Sequence, residues 1–192
     1  MERKYQPGII CQARLTSHRF PNKLLHPIHD EKSISRHLVL HHLNRLRGLP
    51  YPLVVAMPGK FSNHGLDYFL KEKGYETFSI EQNEEDVLFR FLECAKKYRF
   101  DPIIRTCADS ALISKDEIVD TLEKYYLRGR GWLAVGWGVQ IISLRALHWA
   151  HMNDARMESR EHVWSRLEMS INYPEDISSA EWFLKRDKLP KA

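Results

Sequence analysis

Four short apolar runs, residues 9–13, 51–57, 77–80 and 102–108, are spaced along the first part of the chain, and segments with helical spacing fill the gaps between them. That alternation is the strongest constraint on the fold. Strands that alternate with amphipathic helices predict an α/β protein, with a mostly parallel central sheet and helices on both faces.

The helical segments have their own signals. Ile34 and Leu38, with Val39, Leu43 and Leu46, give an apolar stripe over residues 33–47, and Gly48 and Pro50 stop it. Ser62 or Asn63 caps a second helix, which presents Leu66, Phe69 and Leu70 and ends at Gly74. Asn83-Glu84-Glu85-Asp86 begins a third helix, with acids in the first turn, where the helix dipole favours them. Its face is Val87, Leu88, Phe91, Leu92, Ala95 and Tyr98. Ser114 and Glu117 form a capping box that opens a helix over 115–127, with Ile118, Val119, Leu122 and Tyr126 inward. The last third differs: strands over 132–135 and 138–143 meet across Gly136-Trp137-Gly138, a short helix covers 144–151, an alternating strand covers 167–171, and Pro174 starts a final helix.

At 192 residues the chain suits a single domain. A net charge of +4 is too mild for a nucleic-acid surface. No apolar stretch reaches the ~18 residues of a membrane span, and the N-terminus lacks an apolar signal core. The three cysteines, Cys11, Cys94 and Cys107, are odd in number and far apart, which predicts reduced, buried thiols in a cytoplasmic protein.

The chemistry concentrates at two strand ends. From Arg3 to His29 there are five Lys and Arg residues and no Asp or Glu. Three of them, Arg14, Arg19 and Lys23, follow the first strand, at the end of a parallel strand where open α/β sheets bind ligands. Cations fixed on such a loop suit an anion, above all phosphate. Asp109 ends the fourth strand, and one carboxylate facing a cationic loop suits Mg2+ with a nucleotide. The structural alternative is an aspartate that caps the next turn. P-loop, dinucleotide and nucleophile-elbow motifs are absent. His37 and His41 have the i, i+4 spacing of zinc ligands but lack a third ligand nearby.

The stretch Ile10-Cys-Gln-Ala-Arg14-Leu-Thr-Ser17-His-Arg19-Phe-Pro21-Asn-Lys23 resembles the nucleotide-binding signature of the cytidylyltransferases that activate sugars. The nearest branch is the one named for spore-coat polysaccharide biosynthesis; octulosonate and sialic-acid cytidylyltransferases are more distant. Glu84 to Arg90, Arg105 to Ile113, Arg160 to Val163 and Asn172 to Asp176 resemble four further motifs of that family, in order along almost the whole chain. The resemblance implies one nucleotidyltransferase domain over 1–192 of the glycosyltransferase-A type, with an acceptor and dimerisation region over 131–171. It implies transfer of CMP from CTP, or a related nucleotide, to a sugar acceptor, with release of pyrophosphate. Arg14, Lys23 and Asp109 would be catalytic. Ala13, Arg14, Ser17, Arg19, Lys23 and Arg105 would bind the nucleotide, and Asp109 and Asn172 would hold Mg2+. Relatives of this kind form homodimers or larger assemblies, here through residues 135–143.

The departures from that pattern are local. Thr16 and Asn22 stand where the family has glycine, and Asn172 stands at its second metal carboxylate. The acids expected around Gly138 and Gln140 are missing, and the region between Val135 and Arg160 is short. Two expectations therefore stand side by side: a working cytidylyltransferase, and an inactive relative kept as a structural or protein-interaction module.

Overall fold

The computed structural model of the protein describes residues 4–17, 19–29, 35–59, 61–110, 112–127, 133–153, 160 and 163. In chain order its elements are β1 (Gln6–Gln12), β2 (Pro27–His29), β3 (Ser35–His37), α1 (Leu38–Leu46), β4 (Leu53–Pro58), α2 (His64–Glu72), β5 (Glu76–Ile80), α3 (Val87–Tyr98), β6 (Phe100–Cys107), α4 (Lys115–Leu127), β7 (Leu133–Gly136), β8 (Val139–Ile142) and α5 (Leu144–Asn153).

Ile9, Ile10 and Cys11 have no solvent exposure, so β1 needs cover on both faces and lies inside the sheet. The six-stranded order is β5-β4-β1-β6-β8-β7. β5, β4, β1 and β6 are parallel, while β8 runs antiparallel to β6 and β7 antiparallel to β8. Successive side chains of β1 alternate between two cores, as the strand period requires. Ile9 and Cys11 join Leu43 of α1, Leu66 of α2 and Leu122 of α4; Ile10 joins Phe91 of α3 and Leu147 of α5. The α/β class, the mostly parallel sheet and the helices on both faces are as the alternation predicts.

Local boundaries differ where tertiary partners intervene. The helix expected over 33–47 starts only at Leu38, because Ser35–His37 pairs antiparallel with β2. Glu84 and Glu85 precede α3 instead of filling its first turn; Asp86 is its N-cap and accepts a hydrogen bond from the Phe89 amide at 3.1 Å. α4 covers the predicted residues, and Ser114 Oγ accepts from the Glu117 amide at 3.0 Å. Its inner face is turned by one residue, however: Thr121 and Tyr125 are buried, while Val119 and Tyr126 are exposed. Cys11 and Cys94 are buried free thiols, but Cys107 is only half-buried. No helix among the described residues is long and apolar enough to cross a membrane. The strand expected over 167–171, the helix expected from Pro174, and Asn172 lie outside the described residues.

Candidate functional site

From β1 the chain builds β4 and β5 on one side, then crosses over to place β6 on the other. The strand order therefore reverses between β1 and β6, and such a reversal leaves a crevice at the C-terminal ends of the strands. The last residues paired there are Gln12 and Cys107. Arg14 and Asp109 follow them on the two sides of the crevice.

The loop that carries the cations is held by its backbone. The Leu15 amide donates to Asn63 Oδ1 at 2.9 Å. The Leu15 carbonyl accepts from the amides of Ser17 at 2.9 Å and Asn22 at 3.0 Å, which pinches the loop closed. Asn22 adopts φ 56°, a left-handed conformation that glycine favours and asparagine tolerates. Asparagine at a position where the resemblance expects glycine thus keeps the turn. Asn63, expected as a cap, makes no side-chain cap bond on α2 and instead fixes this loop. His37 Nδ1 lies 2.6 Å from the Leu25 carbonyl and His41 Nε2 3.1 Å from that of Ile28, so both histidines fasten the segment after the loop. Among the described residues there is no group of three or more His, Cys, Asp or Glu that suits a metal.

Arg14, Ser17, Arg19 and Lys23 meet Asp109 around one cavity of about 320 Å³, which Gln12, Ala13, Leu24 and Cys107 complete. Lys23 Nζ donates to Asp109 Oδ2 in an ion pair across it. Arg105 does not line the cavity. It lies beneath, buried, and donates to Gln12 Oε1 at 3.0 Å and to Gln140 Oε1. Burial pulls its guanidinium below the ordinary arginine range, against the opposing charge of Asp109. Arg90, fully buried on α3, donates to the Glu84 carbonyl; burial takes it down to about 10, with Glu84 opposing that shift and Arg14 adding to it. Two buried guanidinium groups under a cationic rim raise the positive potential that an anion meets. Cys107 is held in its thiol form, because burial pushes its pKa up.

Two outer supports escape a reading of sequence alone. Arg160 Nη2 donates to Asp86 Oδ2 at 2.8 Å and lies 2.9 Å from His151 Nδ1, which ties the segment before α3 to the end of α5. His42, on α1, is fully buried beside the turn that carries Asp109. Burial holds its imidazole below the ordinary histidine value, against the upward pull of its bond to Ser110 and of the Asp109 charge. Unfolded, it titrates near about 6.5, so below that pH the unfolded chain binds more protons than the native one. The stability that neutral His42 contributes is complete above that pH and is lost as pH falls. The loss is at most about 1.4 kcal/mol per pH unit for one proton. Urea midpoints taken from pH 7.5 to 5.5 should decline (both limits roughly bracket the histidine range), and the decline should shrink in His42→Asn. His151, also held low by burial and by Arg160, accounts for part of what remains.

The sheet, its strand reversal and the cation-lined crevice define a nucleotidyltransferase-type α/β fold, and solved structures share it. A cytidylyltransferase from Leptospira borgpetersenii serovar Hardjo-bovis superposes with a TM-score of 0.73 at 24% identity, covering 86% of this chain and 71% of that one. A CMP:2-keto-3-deoxy-manno-octonic acid synthetase complexed with CTP gives 0.61 at 14% identity over 83% of each chain. A 4-diphosphocytidyl-2C-methyl-D-erythritol synthase from Anaerococcus prevotii gives 0.55 at 10% identity over 95% of this chain and 96% of that one. No curated protein sequence matches. The cytidylyltransferase family profile matches residues 8–130, and the chain belongs to that family.

Proposed function

We propose that the protein binds CTP on the loop from Arg14 to Lys23 and transfers CMP to a hydroxyl group of a sugar or sugar acid. The observation that carries this reading is the convergence of Arg14, Ser17, Arg19, Lys23 and Asp109 on one cavity at the strand reversal. The acceptor oxygen bonds to the α-phosphorus, the bond from that phosphorus to the bridging oxygen breaks, pyrophosphate leaves, and the hydroxyl proton passes to solvent. Arg14, Arg19 and Lys23 compensate the charge that builds on the phosphates, from positions fixed before the reaction.

Asp109 is a single, partly exposed carboxylate already paired with Lys23, which fits an ion that arrives with the nucleotide rather than one held alone. Asp109, with Asn172 as a weaker partner, would hold Mg2+; when bound, the ion would neutralise phosphate charge. The exposed Val135 and Trp137 on and beside edge strand β7 are the proposed contact of a homodimer or larger assembly. The free cysteines favour the cytoplasm, and sugar activation points to polysaccharide biosynthesis.

A second reading is an inactive relative that serves as a structural or interaction module. It is favoured by Gln140, which stands where an acid is expected and accepts from Arg105, and by Gly138 at φ 72°, where a side chain would be strained. Pyrophosphate release with CTP, Mg2+ and a panel of sugars separates the two. Release with at least one sugar supports the enzyme. No release, with recovery in Asn172→Asp, supports the inactive relative. No CTP binding by calorimetry overturns the nucleotide site and leaves the structural module.

A further inference from the structure

His42 has both ring nitrogens engaged inside the core. Nδ1 lies 2.9 Å from the Ser110 carbonyl oxygen and Nε2 lies 3.1 Å from Thr106 Oγ1. A carbonyl oxygen only accepts, so Nδ1 carries the proton. Nε2 is then a bare lone pair, and the Thr106 hydroxyl donates to it. The bonds thus run in one direction, from Thr106 on β6 to His42 on α1 and out to Ser110, the residue that follows Asp109. Hydrogen bonds aligned in this way reinforce one another in a dry interior.

The turn after β6 is also anchored by the Lys23–Asp109 ion pair and by Ala108 and Ile113, which are buried in the core. The Ala108 amide donates to the Gln12 carbonyl at 2.9 Å, and Arg45 Nη1 reaches the Ile113 carbonyl at 3.4 Å. Its own amides close it locally, Ser110 to the Cys107 carbonyl at 2.9 Å and Ile113 to the Ser110 carbonyl at 3.2 Å. The Ser110 carbonyl therefore takes two donors, one from within the turn and one from α1. Leu or Val would fill a helix interior without the polar groups that a buried imidazole must satisfy.

We propose that His42 is a positioning residue: its Nδ1–H holds the Ser110 carbonyl against α1, and so aims the Asp109 carboxylate across the cavity at Arg14 and Lys23. The inference deepens the nucleotide reading and rests on it. His42 does not line the cavity, so its loss should weaken only the part of CTP binding that runs through Asp109.

The test compares the native protein with His42→Leu, which removes both bonds, and His42→Asn, whose side-chain amide can replace the Nδ1 donor. CTP affinity is measured by calorimetry with Mg2+ and with EDTA, alongside amide hydrogen exchange. In His42→Leu the gain in affinity that Mg2+ confers should fall at least about tenfold, the size of one lost hydrogen bond of about 1.4 kcal/mol. Affinity in EDTA should stay within about twofold, a difference of about 0.4 kcal/mol. The Ser110 and Ile113 amides should exchange faster while those of α3 do not, and His42→Asn should recover most of both effects. A merely structural role would lower affinity with and without Mg2+ by the same factor, or leave Asn no better than Leu; either result overturns the proposal. If His42→Leu does not fold, Thr106→Val removes the donor to Nε2 and should give the same selective loss, smaller in size, with an even loss again overturning it. Absence of CTP binding in the native protein would sink the nucleotide reading alone. The exchange of Ser110 and Ile113 would then still decide whether His42 holds the turn.

Discussion

Lys23→Ala should slow CTP-dependent pyrophosphate release by about a hundred- to a thousandfold, the usual loss when one preorganised charge partner of a transition state is removed. The same change should move the melting temperature by no more than about 3 °C. The two expectations differ because the Lys23–Asp109 ion pair is open to solvent: the side chains keep 25% and 40% of their exposure. An ion pair so exposed contributes roughly 0–1 kcal/mol, and in a domain of this size each kcal/mol shifts the melting temperature by about 2–4 °C. In the free protein Lys23 neutralises the carboxylate, so a nucleotide must draw the ammonium onto its phosphates before Asp109 can serve another cation. Removing Lys23 should therefore tighten Mn2+ binding at Asp109 in the absence of nucleotide, as read by electron paramagnetic resonance, while CTP binding weakens. Lys23→Arg should restore the melting behaviour but not the full rate, since a planar fork does not replace a compact ammonium. A fall of more than about 5 °C in Lys23→Ala, beyond what an exposed pair supports, would recast the ion pair as a structural staple.

How far the sequence reveals this arrangement depends on whether a feature is local. The runs over 9–13, 51–57 and 102–108 become β1, β4 and β6 because burial on both faces demands uninterrupted apolar residues, and the run over 77–80 becomes the edge strand β5. The three-residue strands β2 and β3 carry no such pattern and arise from pairing with each other. On α4 the inward position falls to Tyr125, not Tyr126, and to Thr121, whose hydroxyl is satisfied by the Glu117 carbonyl at 2.7 Å. Adjacent tyrosines are equivalent by composition, and a threonine that can bond its own helix hides as an inward residue. The cations stand out because no acid interrupts them, and Asp109 because it ends an apolar strand. Asn63 and His42 do not stand out: their partners Leu15 and Ser110 are 48 and 68 positions away in sequence. They become neighbours only once the sheet order is fixed. Arg105 enters the reading only through the family resemblance, and its place beneath Gln12 depends on Gln140 arriving from the antiparallel edge.

The far end of the same strand pair sets the largest expected effect on stability. Gly8→Ala should destabilise the protein by about 3 kcal/mol, the upper part of the range for overpacking a core. A Cβ on Gly8 would lie 2.2 Å from Phe100 Cγ, with Cδ1 and Cδ2 at 2.3 and 2.5 Å. The ring cannot step aside freely, because Phe100 is 2% exposed and stacks on Tyr98 with centroids 5.7 Å apart. The β1–β6 register is also irregular between Gln6 and Gly8, so the backbone there is already shaped around that ring. The cause is one contact, so it should vanish with its partner. In a Phe100→Ala background, itself weakened by about 3–5 kcal/mol, the further step Gly8→Ala should cost under about 0.5 kcal/mol. Urea unfolding of the four proteins closes this cycle. Equal costs of Gly8→Ala in both backgrounds would mean that the strand itself, through its backbone and not through Phe100, requires glycine. CTP affinity in the folded Gly8→Ala protein should remain within about twofold of native, or about 0.4 kcal/mol. The crowded ring lies at the N-terminal end of β6, and the cations and Asp109 lie beyond its C-terminal end.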